Sequence, residues 1–268
     1  MKSLLFLSHI HEEKTLAMIL KEAIEEEFGG FVTVFVSSDG STVPAGSNFL
    51  MRIENGLLDC VGAIYLLSPH SVKRNWINFE LGAVWIRNIS ALRDGDSEVP
   101  TLPLCHSGMK PTTLPMPLAN LNGVVANQSS QLEFAFRSIQ KAVGGSGQLH
   151  TNFDALATKV TQFEQAYTVG FNLRDMLKLL GYDVRQVVAY CKDQPSIHTL
   201  TLQSDFVETS IVQRLRSLEE AELKGHIVIR VGPAGKIQTR PSGPVNGIDL
   251  EVKVKTALLL QFELELLA

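Results

Sequence analysis

The first half of the chain contains short apolar runs in which hydrophobic and polar residues do not alternate. Leu4–Leu7, Phe31–Val36 and Val61–Leu67 are the clearest, and amphipathic helical patterns separate them. A strand that is apolar at every position is buried on both faces, as in parallel sheets that helices cover. The weaker runs Val99–Leu104 and Gly123–Ala126 complete a set of five. The sequence therefore predicts an α/β fold with a flavodoxin-like, doubly wound sheet of five parallel strands.

A glycine- and serine-rich segment, residues 144–148, ends this pattern. Its composition is that of a flexible linker. We therefore predict one domain over residues 1–146 and a second, accessory domain over residues 149–268. The elements predicted for the second domain make it a mostly helical α+β domain with a β-hairpin. They are helices over Thr151–Val169, Leu173–Leu180, Ser204–Lys224 and Leu250–Leu267, and a hairpin over Ile227–Thr239 that turns at Gly232–Gly235.

The stretch Ser210–Lys224 of the long predicted helix Ser204–Lys224, followed by this hairpin, resembles the recognition helix and wing of a winged-helix module. Basic residues of the segment would then meet phosphates. Against that interpretation, Glu219, Glu220 and Glu222 lie on the same helix, and residues 149–268 carry 13 Lys+Arg against 14 Asp+Glu. A winged-helix-like domain used for oligomerisation, protein contacts or sensing is therefore favoured over one that binds nucleic acid. The basic residues in question are Arg214, Arg216, Lys224, Arg230, Lys236 and Arg240.

Charge and cysteine content exclude several other classes. The net charge of the 268 residues is −4 and is spread evenly, which is not the strongly basic balance of a nucleic-acid binder. The three cysteines have no CxxC spacing, so we expect a reducing compartment and no metal site. The apolar start breaks at Ser8-His9, too early for a secretion signal, and no run is long enough to span a membrane. The expected location is cytoplasmic.

Trp76 and Glu80 are the residues most suggestive of a site. They lie four positions apart at the start of the apolar helix Trp76–Ile86, and residues at that spacing share one helix face. The same face carries Ala83 and Val84 and is expected to look inward. A carboxylate there costs free energy unless it is paired, hydrogen-bonded or used in a site. The alternative is a glutamate that lies in water near the helix N-terminus.

Three segments in this order resemble a Toll/interleukin-1 receptor (TIR) domain of the prokaryotic type. The first is Phe6-Leu7-Ser8-His9 with the acidic stretch that follows it. The second is the loop from Asp39 to Pro44-Ala45-Gly46, which resembles the BB loop of that family. The third is Leu66-Leu67-Ser68 before Arg74-Asn75-Trp76-Ile77-Asn78-Phe79-Glu80, similar to the family's Trp-x-x-x-Glu segment. The resemblance covers about half of the chain, from Leu4 to Val143.

The resemblance implies an enzyme that hydrolyses NAD⁺ and needs no cofactor. In the enzymatic members the glutamate of the Trp-x-x-x-Glu segment is catalytic, and here that residue is Glu80. Cleavage of the nicotinamide–ribose bond builds positive charge on the ribose, and a carboxylate beside it stabilises that charge. Because nicotinamide leaves as a neutral ring, the general acid of most glycosidases is not required. The resemblance leaves the product open between linear and cyclised ADP-ribose.

Further substrate contacts are carried over from the same motifs. Trp76 would offer an aromatic face, or else belongs to the core. Ser8 and His9 lie where open α/β sheets place ligands, or else Ser8 caps the first helix and His9 is structural. Arg74 would contact phosphate, or else is a surface residue. The remaining candidates are Phe6, Ser68 and the loop residues Asp39, Gly40, Pro44 and Gly46, for which a plain surface turn is the alternative.

The partners follow from the same resemblance. We expect NAD⁺ as substrate, a homo-oligomer or filament formed through TIR contacts, and an activating ligand or partner protein. The implied role is an immune effector in antiphage defence that self-association activates. Two rival interpretations remain: a non-enzymatic TIR scaffold, and a DNA-binding regulator acting through the second domain.

Overall fold

The computed structural model describes residues 2–36, 49–95, 97–220, 223–241 and 243–267. By their contacts these residues form two compact units, Met1–Glu164 and Gln165–Ala268. The division therefore falls later in the chain than the glycine-rich segment 144–148. Contacts inside the first unit explain the difference, because Glu27 accepts hydrogen bonds from the backbone N–H groups of His150 (3.0 Å) and Thr151 (2.6 Å). The residues just after the linker thus pack with the first unit.

The described part of the first unit is built on a sheet of five parallel strands. They are β1 (Ser3–Ser8), β2 (Val32–Val36), β3 (Gly62–Leu67), β4 (Thr101–Cys105) and β5 (Val124–Val125). Their order across the sheet is β2-β1-β3-β4-β5, and each neighbouring pair is parallel. This is the flavodoxin-like order, which confirms the predicted fold class.

Helices cover both faces of this sheet, as its apolar strands require. They are α1 (Lys14–Glu27), α2 (Phe49–Asp59), α3 (Asn75–Asp94) and α4 (Ser129–Ala142). Leu20 of α1 and Phe136 of α4 line a common space with Ile64 of β3 on one face. On the other face, Ile53 of α2 and Val84 of α3 belong to one core cluster with Phe6, Tyr65 and Leu67. The sheet is therefore doubly wound.

Strand periodicity decides which side chains face α3. Successive side chains of a strand point to opposite faces, so Ser8 lies on the same face as Phe6. In the parallel register of β1 and β3, Ser8 is opposite Tyr65. Both are thus on the face that α2 and α3 cover, at the carboxyl end of β1. In open α/β sheets, this end of the strands is where ligands bind.

The second unit combines helices with a three-stranded antiparallel sheet of order β6-β8-β7 in its described part. The long helix α5 (Phe153–Leu179) begins in the first unit and ends in this one. The other elements are α6 (Val184–Asp193), β6 (Thr199–Glu208), α7 (Thr209–Glu220), β7 (Ile227–Arg240), β8 (Gly243–Lys255), α8 (Thr256–Gln261) and α9 (Glu263–Leu267).

Several boundaries predicted for this region are wrong. The two helices Thr151–Val169 and Leu173–Leu180 are one, α5. Ser204–Glu208 is the end of a strand, since it pairs with β8. Gly232–Gly235 is an irregularity in the pairing of β7 with β8, and the hairpin turns after Arg240. The apolar pattern from Leu250 continues β8 as far as Lys255, because alternate residues Leu250, Val252 and Val254 are buried.

Two helical glycines provide a test of the packing. A Cβ at Gly170 of α5 would overlap Cβ of Glu265, whereas a Cβ at Gly82 of α3 would have no neighbour within 4 Å. We expect Gly170→Ala to destabilise the protein by about 1–3 kcal/mol through overpacking. Gly82→Ala, the matched control, should stabilise it by up to about 1 kcal/mol through helix propensity. Urea unfolding measures both, and a stabilising Gly170→Ala would contradict the α5–α9 packing.

Candidate functional site

The candidate site is built around Glu80, in the second turn of α3. The helix starts after Arg74, whose backbone is extended, and its inward residues Ile77, Leu81 and Val84 are buried. Glu80 lies on the same side and is only 2% exposed. The alternative in which Glu80 lies in water near the helix N-terminus is therefore wrong.

Two neutral donors hold the carboxylate of Glu80. The hydroxyl Oγ of Ser8 donates to Oε2 at 2.5 Å, and the indole Nε1 of Trp76 donates to Oε1 at 2.8 Å. Ser8 is itself 2% exposed and comes from the carboxyl end of β1. The four-residue spacing of Trp76 and Glu80 thus brings the two side chains together, as predicted.

Burial raises the pKa of Glu80 to about 7, although the hydrogen bonds from Ser8 and Trp76 lower it. A carboxylate out of water favours its protonated form because charge is poorly solvated there. Among the described residues, no lysine, arginine or histidine forms an ion pair with this group. The site therefore contains a carboxylate with a deficit of positive charge around it.

Tyr65 is a third polar neighbour of Glu80, and it was not predicted. Its side chain is fully buried, and its hydroxyl has no hydrogen-bond partner among the described residues. Burial, followed by the negative charge of Glu80, raises the pKa of Tyr65. The sheet register places Tyr65 opposite Ser8, so only strand pairing could have identified it.

Trp76 connects the buried carboxylate to the surface. It is 43% exposed, so the alternative of a core tryptophan is wrong. Its ring stacks on Phe79 with centroids 5.0 Å apart. An aromatic surface therefore lies next to Glu80 at the outer side of α3.

A second buried cluster ties together the segments that follow β1, β3 and β4. Glu13, Ser68, Ser71 and His106 are all 0% exposed. Oε1 of Glu13 accepts a hydrogen bond from Oγ of Ser68 at 2.8 Å and lies 3.1 Å from Nε2 of His106. Burial by itself would raise the pKa of Glu13, but His106 and the serine hydroxyls outweigh it and hold the pKa below its ordinary value. Glu13 is thus a charged anchor inside the protein.

The first turns of α5 extend this cluster within the first unit. Oε1 of Glu164 accepts a hydrogen bond from the backbone N–H of Ser107 at 2.8 Å, and its Oε2 accepts one from Nδ2 of Asn127 at 2.7 Å. His106 lies against Phe163, with ring centroids 5.8 Å apart. The segment after β4 is therefore held both by Glu13, through His106, and by Glu164 of α5, and Glu164 also holds the segment after β5.

The other candidate residues lie in different surroundings. Phe6 is in the core, stacked on Phe35 with centroids 5.6 Å apart. Ser68 belongs to the Glu13 cluster, and Arg74, with its side chain 58% exposed, lies 3.3 Å from Glu12. Burial lowers the pKa of His9, which favours a neutral ring. Asp39, Gly40, Pro44 and Gly46 lie outside the described residues, so their relation to Glu80 stays a prediction.

Acidic neighbours lie beside four of the six basic residues that were singled out in the second domain: Arg214, Arg216, Arg230 and Lys236. Arg214 lies 3.6 Å from Asp175, and Lys236 lies 2.5 Å from Asp249. Arg216 and Arg230 pair with Glu219 and Glu251. These cations are already partly neutralised, which weakens the case for a phosphate-binding surface.

Comparisons with known proteins identify no family for this chain. No protein-family model matches the sequence, and no curated protein matches it. Among solved structures, a metazoan TIR-STING receptor from C. gigas in complex with 2′,3′-cGAMP is 13% identical, with a TM-score of 0.37. The match covers 98% of this chain and 83% of that one. A likeness at this level assigns neither activity nor ligand.

Two kinds of feature are absent from the described part of the chain. No group of three or more His, Cys, Asp or Glu side chains there is arranged to hold a metal ion. None of the helices described combines the length and apolar character needed to cross a bilayer.

The raised pKa of Glu80 predicts a pH-dependent stability. The ordinary pKa is 4.5 and the folded value about 7, so between these pH values the folded state binds more protons and loses stability as the pH rises. Glu80→Gln cannot ionise, and its amide can still donate to Ser8 Oγ and accept from Trp76. The free energy of unfolding of Glu80→Gln should therefore exceed that of the wild type at pH 8 by up to about 3 kcal/mol.

Urea unfolding at pH 5 and pH 8 measures this difference. Both tryptophans of the chain, Trp76 and Trp85, lie in α3, so their fluorescence reports the first unit. Glu133→Gln is the matched control, since Glu133 is exposed and pairs with Arg137 on α4. If Glu80→Gln changed the free energy of unfolding by the same amount at pH 5 and at pH 8, the raised pKa of Glu80 would be contradicted.

The Glu13 cluster predicts a large loss of stability when its buried carboxylate is removed. Glu13→Ala leaves His106 and Ser68 buried without their acceptor, and we expect a loss of about 3 kcal/mol at pH 7. Glu133→Ala removes an exposed ion pair and should cost less than about 1 kcal/mol. Thermal unfolding compares the two variants, and similar losses would show that the buried cluster is not an anchor.

Proposed function

We propose that this protein is a TIR-type NAD⁺ glycohydrolase in which Glu80 is the catalytic residue. The observation that carries the proposal is the state of Glu80: a buried carboxylate, held by two neutral donors and paired with no cation among the described residues. Buried groups with strongly shifted pKa values are concentrated at functional sites. The ordered motifs around Ser8, Trp76 and Glu80 supply the choice of chemistry.

The charge deficit at Glu80 suits the proposed reaction. As the bond between nicotinamide and ribose breaks, positive charge develops on the ribose and the leaving ring becomes neutral. A carboxylate that has no cation partner in the resting protein gains one in the transition state. Interactions that strengthen only in the transition state are those that accelerate a reaction.

The neighbours of Glu80 have separate roles in this mechanism. Ser8 and Trp76 fix the carboxylate oxygens and keep part of the population ionised near pH 7. The exposed ring of Trp76, stacked on Phe79, offers a flat surface for the planar nicotinamide or adenine ring. The hydroxyl of Tyr65 is an unsatisfied donor that would serve a ribose oxygen once the site has opened.

Loss of the carboxylate should abolish most of the activity. We expect Glu80→Gln to lower kcat for nicotinamide release from NAD⁺ by roughly 10²–10³-fold, the effect of removing one preorganised electrostatic contact. Product chromatography at several protein concentrations measures it, with Glu133→Gln as the control of unchanged activity. Equal turnover by wild type and Glu80→Gln would reject the catalytic role.

The hydrogen bonds to Glu80 predict the shape of the pH profile. If the ionised carboxylate acts, kcat should rise with pH through about 7, the pKa to which burial raises the group. Trp76→Phe removes a donor that lowers this pKa, so its midpoint should move to higher pH. A profile with an unmoved midpoint would show that the indole does not tune the carboxylate.

One observation favours a second candidate, a TIR scaffold without catalysis. Both oxygens of Glu80 are already hydrogen-bonded inside the protein, and the residue is 2% exposed. A purely structural carboxylate would have the same surroundings. The scaffold predicts no nicotinamide release in any assembly state, whereas the enzyme predicts release that depends on Glu80.

A further inference from the structure

The second unit has a basic cleft where the end of α5 meets the start of α6. Its volume of about 380 Å³ lies within the range of small-molecule pockets. Arg174 and Lys178 of α5 and Arg185 of α6 line it, and Asp183 is the acidic residue among its described lining. Three cations thus face one carboxylate, although residues 165–268 as a whole carry 12 Lys+Arg and 12 Asp+Glu. Positive charge is therefore concentrated locally in a neutral unit.

The cations of this cleft differ from most others in the second unit in having no acidic partner. Among the described residues, no carboxylate forms an ion pair with Arg174, Lys178 or Arg185. Oδ1 of Asp183 accepts hydrogen bonds from the backbone N–H groups of Arg185 (2.8 Å) and Gln186 (3.1 Å), so it caps α6. Its charge is thus stabilised by the helix N-terminus. The paired cations, 2.5 to 3.9 Å from a carboxylate oxygen, are Lys192, Arg214, Arg216, Arg230, Lys236 and Lys253.

The positions of these cations leave a repulsion that an anion would relieve. Arg174 and Lys178 are four residues apart on α5, and like charges at that spacing repel each other. Arg185 lies in the first turn of α6, where the helix macrodipole disfavours a cation. The guanidinium of Arg174 is 5.7 Å from the ring centroid of the buried Phe171, which orients it without neutralising it. A negatively charged ligand in the cleft would interact favourably with all three cations.

Apolar residues adjoin the cations in the same cleft. Tyr182, Val184 and Leu266 belong to its lining. The hydroxyl of Tyr182 donates to the carbonyl oxygen of Gln203 at 2.8 Å and accepts from its backbone N–H at 2.9 Å, so β6 fixes the position of the ring. Val184 and Leu266 are buried and give the cleft a packed base. The cleft therefore suits a ligand that combines an anionic group with a flat or apolar body.

We propose that this cleft binds a molecule that carries a pyrophosphate group, such as a nucleoside diphosphate. Two linked phosphates supply the negative charge that the three cations lack, and a guanidinium binds phosphate oxygens through two parallel hydrogen bonds. The base of a nucleotide would cover the apolar lining beside Tyr182, which free pyrophosphate would leave open. The cleft is formed within the second unit and does not include Glu80, so the proposal does not depend on NAD⁺ hydrolysis.

Isothermal titration calorimetry of the full chain with ADP, pyrophosphate and adenosine tests the site. ADP and pyrophosphate should bind, more weakly as salt is added, and adenosine should not. Lys178→Gln and Arg185→Gln should each raise the Kd for ADP by roughly tenfold or more, the effect of losing one hydrogen bond to a charged group. Both residues are exposed, so circular dichroism and Tm should be retained. Arg230→Gln is the matched control, since Arg230 is exposed, lies outside the cleft and loses the same charge.

The outcomes separate this cleft from other sources of nucleotide binding. A wild type that binds neither ADP nor pyrophosphate at low salt overturns the proposal. So does ADP binding that Arg185→Gln leaves intact, that Arg230→Gln weakens equally, or that Glu80→Gln abolishes. Tighter binding of ADP than of pyrophosphate assigns the site to a nucleotide, and equal binding assigns it to free pyrophosphate. An Arg185→Gln protein that no longer binds ADP yet still releases nicotinamide would show that the cleft and the enzymatic proposal stand separately.

Discussion

The burial of one carboxylate between α3 and the carboxyl end of β1 is the constraint on which the rest of the first unit depends. Glu80 is held by Ser8 and Trp76, and burial raises its pKa to about 7. Two neutral donors do not replace the water that the group has lost. The folded state therefore carries an energetic cost at neutral pH. Costs of this kind persist where the group has a use, and a cationic transition state is the use proposed for it.

A second buried glutamate, Glu13, stabilises the fold around Glu80. Glu13, whose pKa is held below its ordinary value, connects the segments after β1, β3 and β4 through Ser68 and His106. The two buried glutamates thus contrast with each other. Glu13 has a histidine beside it and serves as an anchor, whereas Glu80 has only neutral donors. The difference in partners, and not in burial, separates an anchor from a candidate catalytic group.

The predictions differ in success because they rest on different physical signals. The five strands were predictable because parallel strands buried on both faces require continuous apolar runs, as in β3. Trp76 and Glu80 were predictable as a pair because helix geometry fixes a four-residue spacing. In the second unit, Ser204–Glu208 was assigned to a helix because pairing with a distant strand, β8, leaves no local signal. Tyr65 and the Glu13–His106 contact were missed for the same reason.

By itself the sequence determined the α/β class, the sheet with helices on both faces, and the helix on which Glu80 lies. These follow from local periodicity, which every residue carries in its neighbours along the chain. Only the tertiary structure decided that Ser8 donates a hydrogen bond to Glu80, that Ser68 donates one to Glu13, and that α3 leaves large apolar side chains exposed. Such contacts join residues more than fifty positions apart, or depend on what fails to cover a surface. Local periodicity predicts neither the long-range contacts nor the exposed surface, because both arise from how the elements pack.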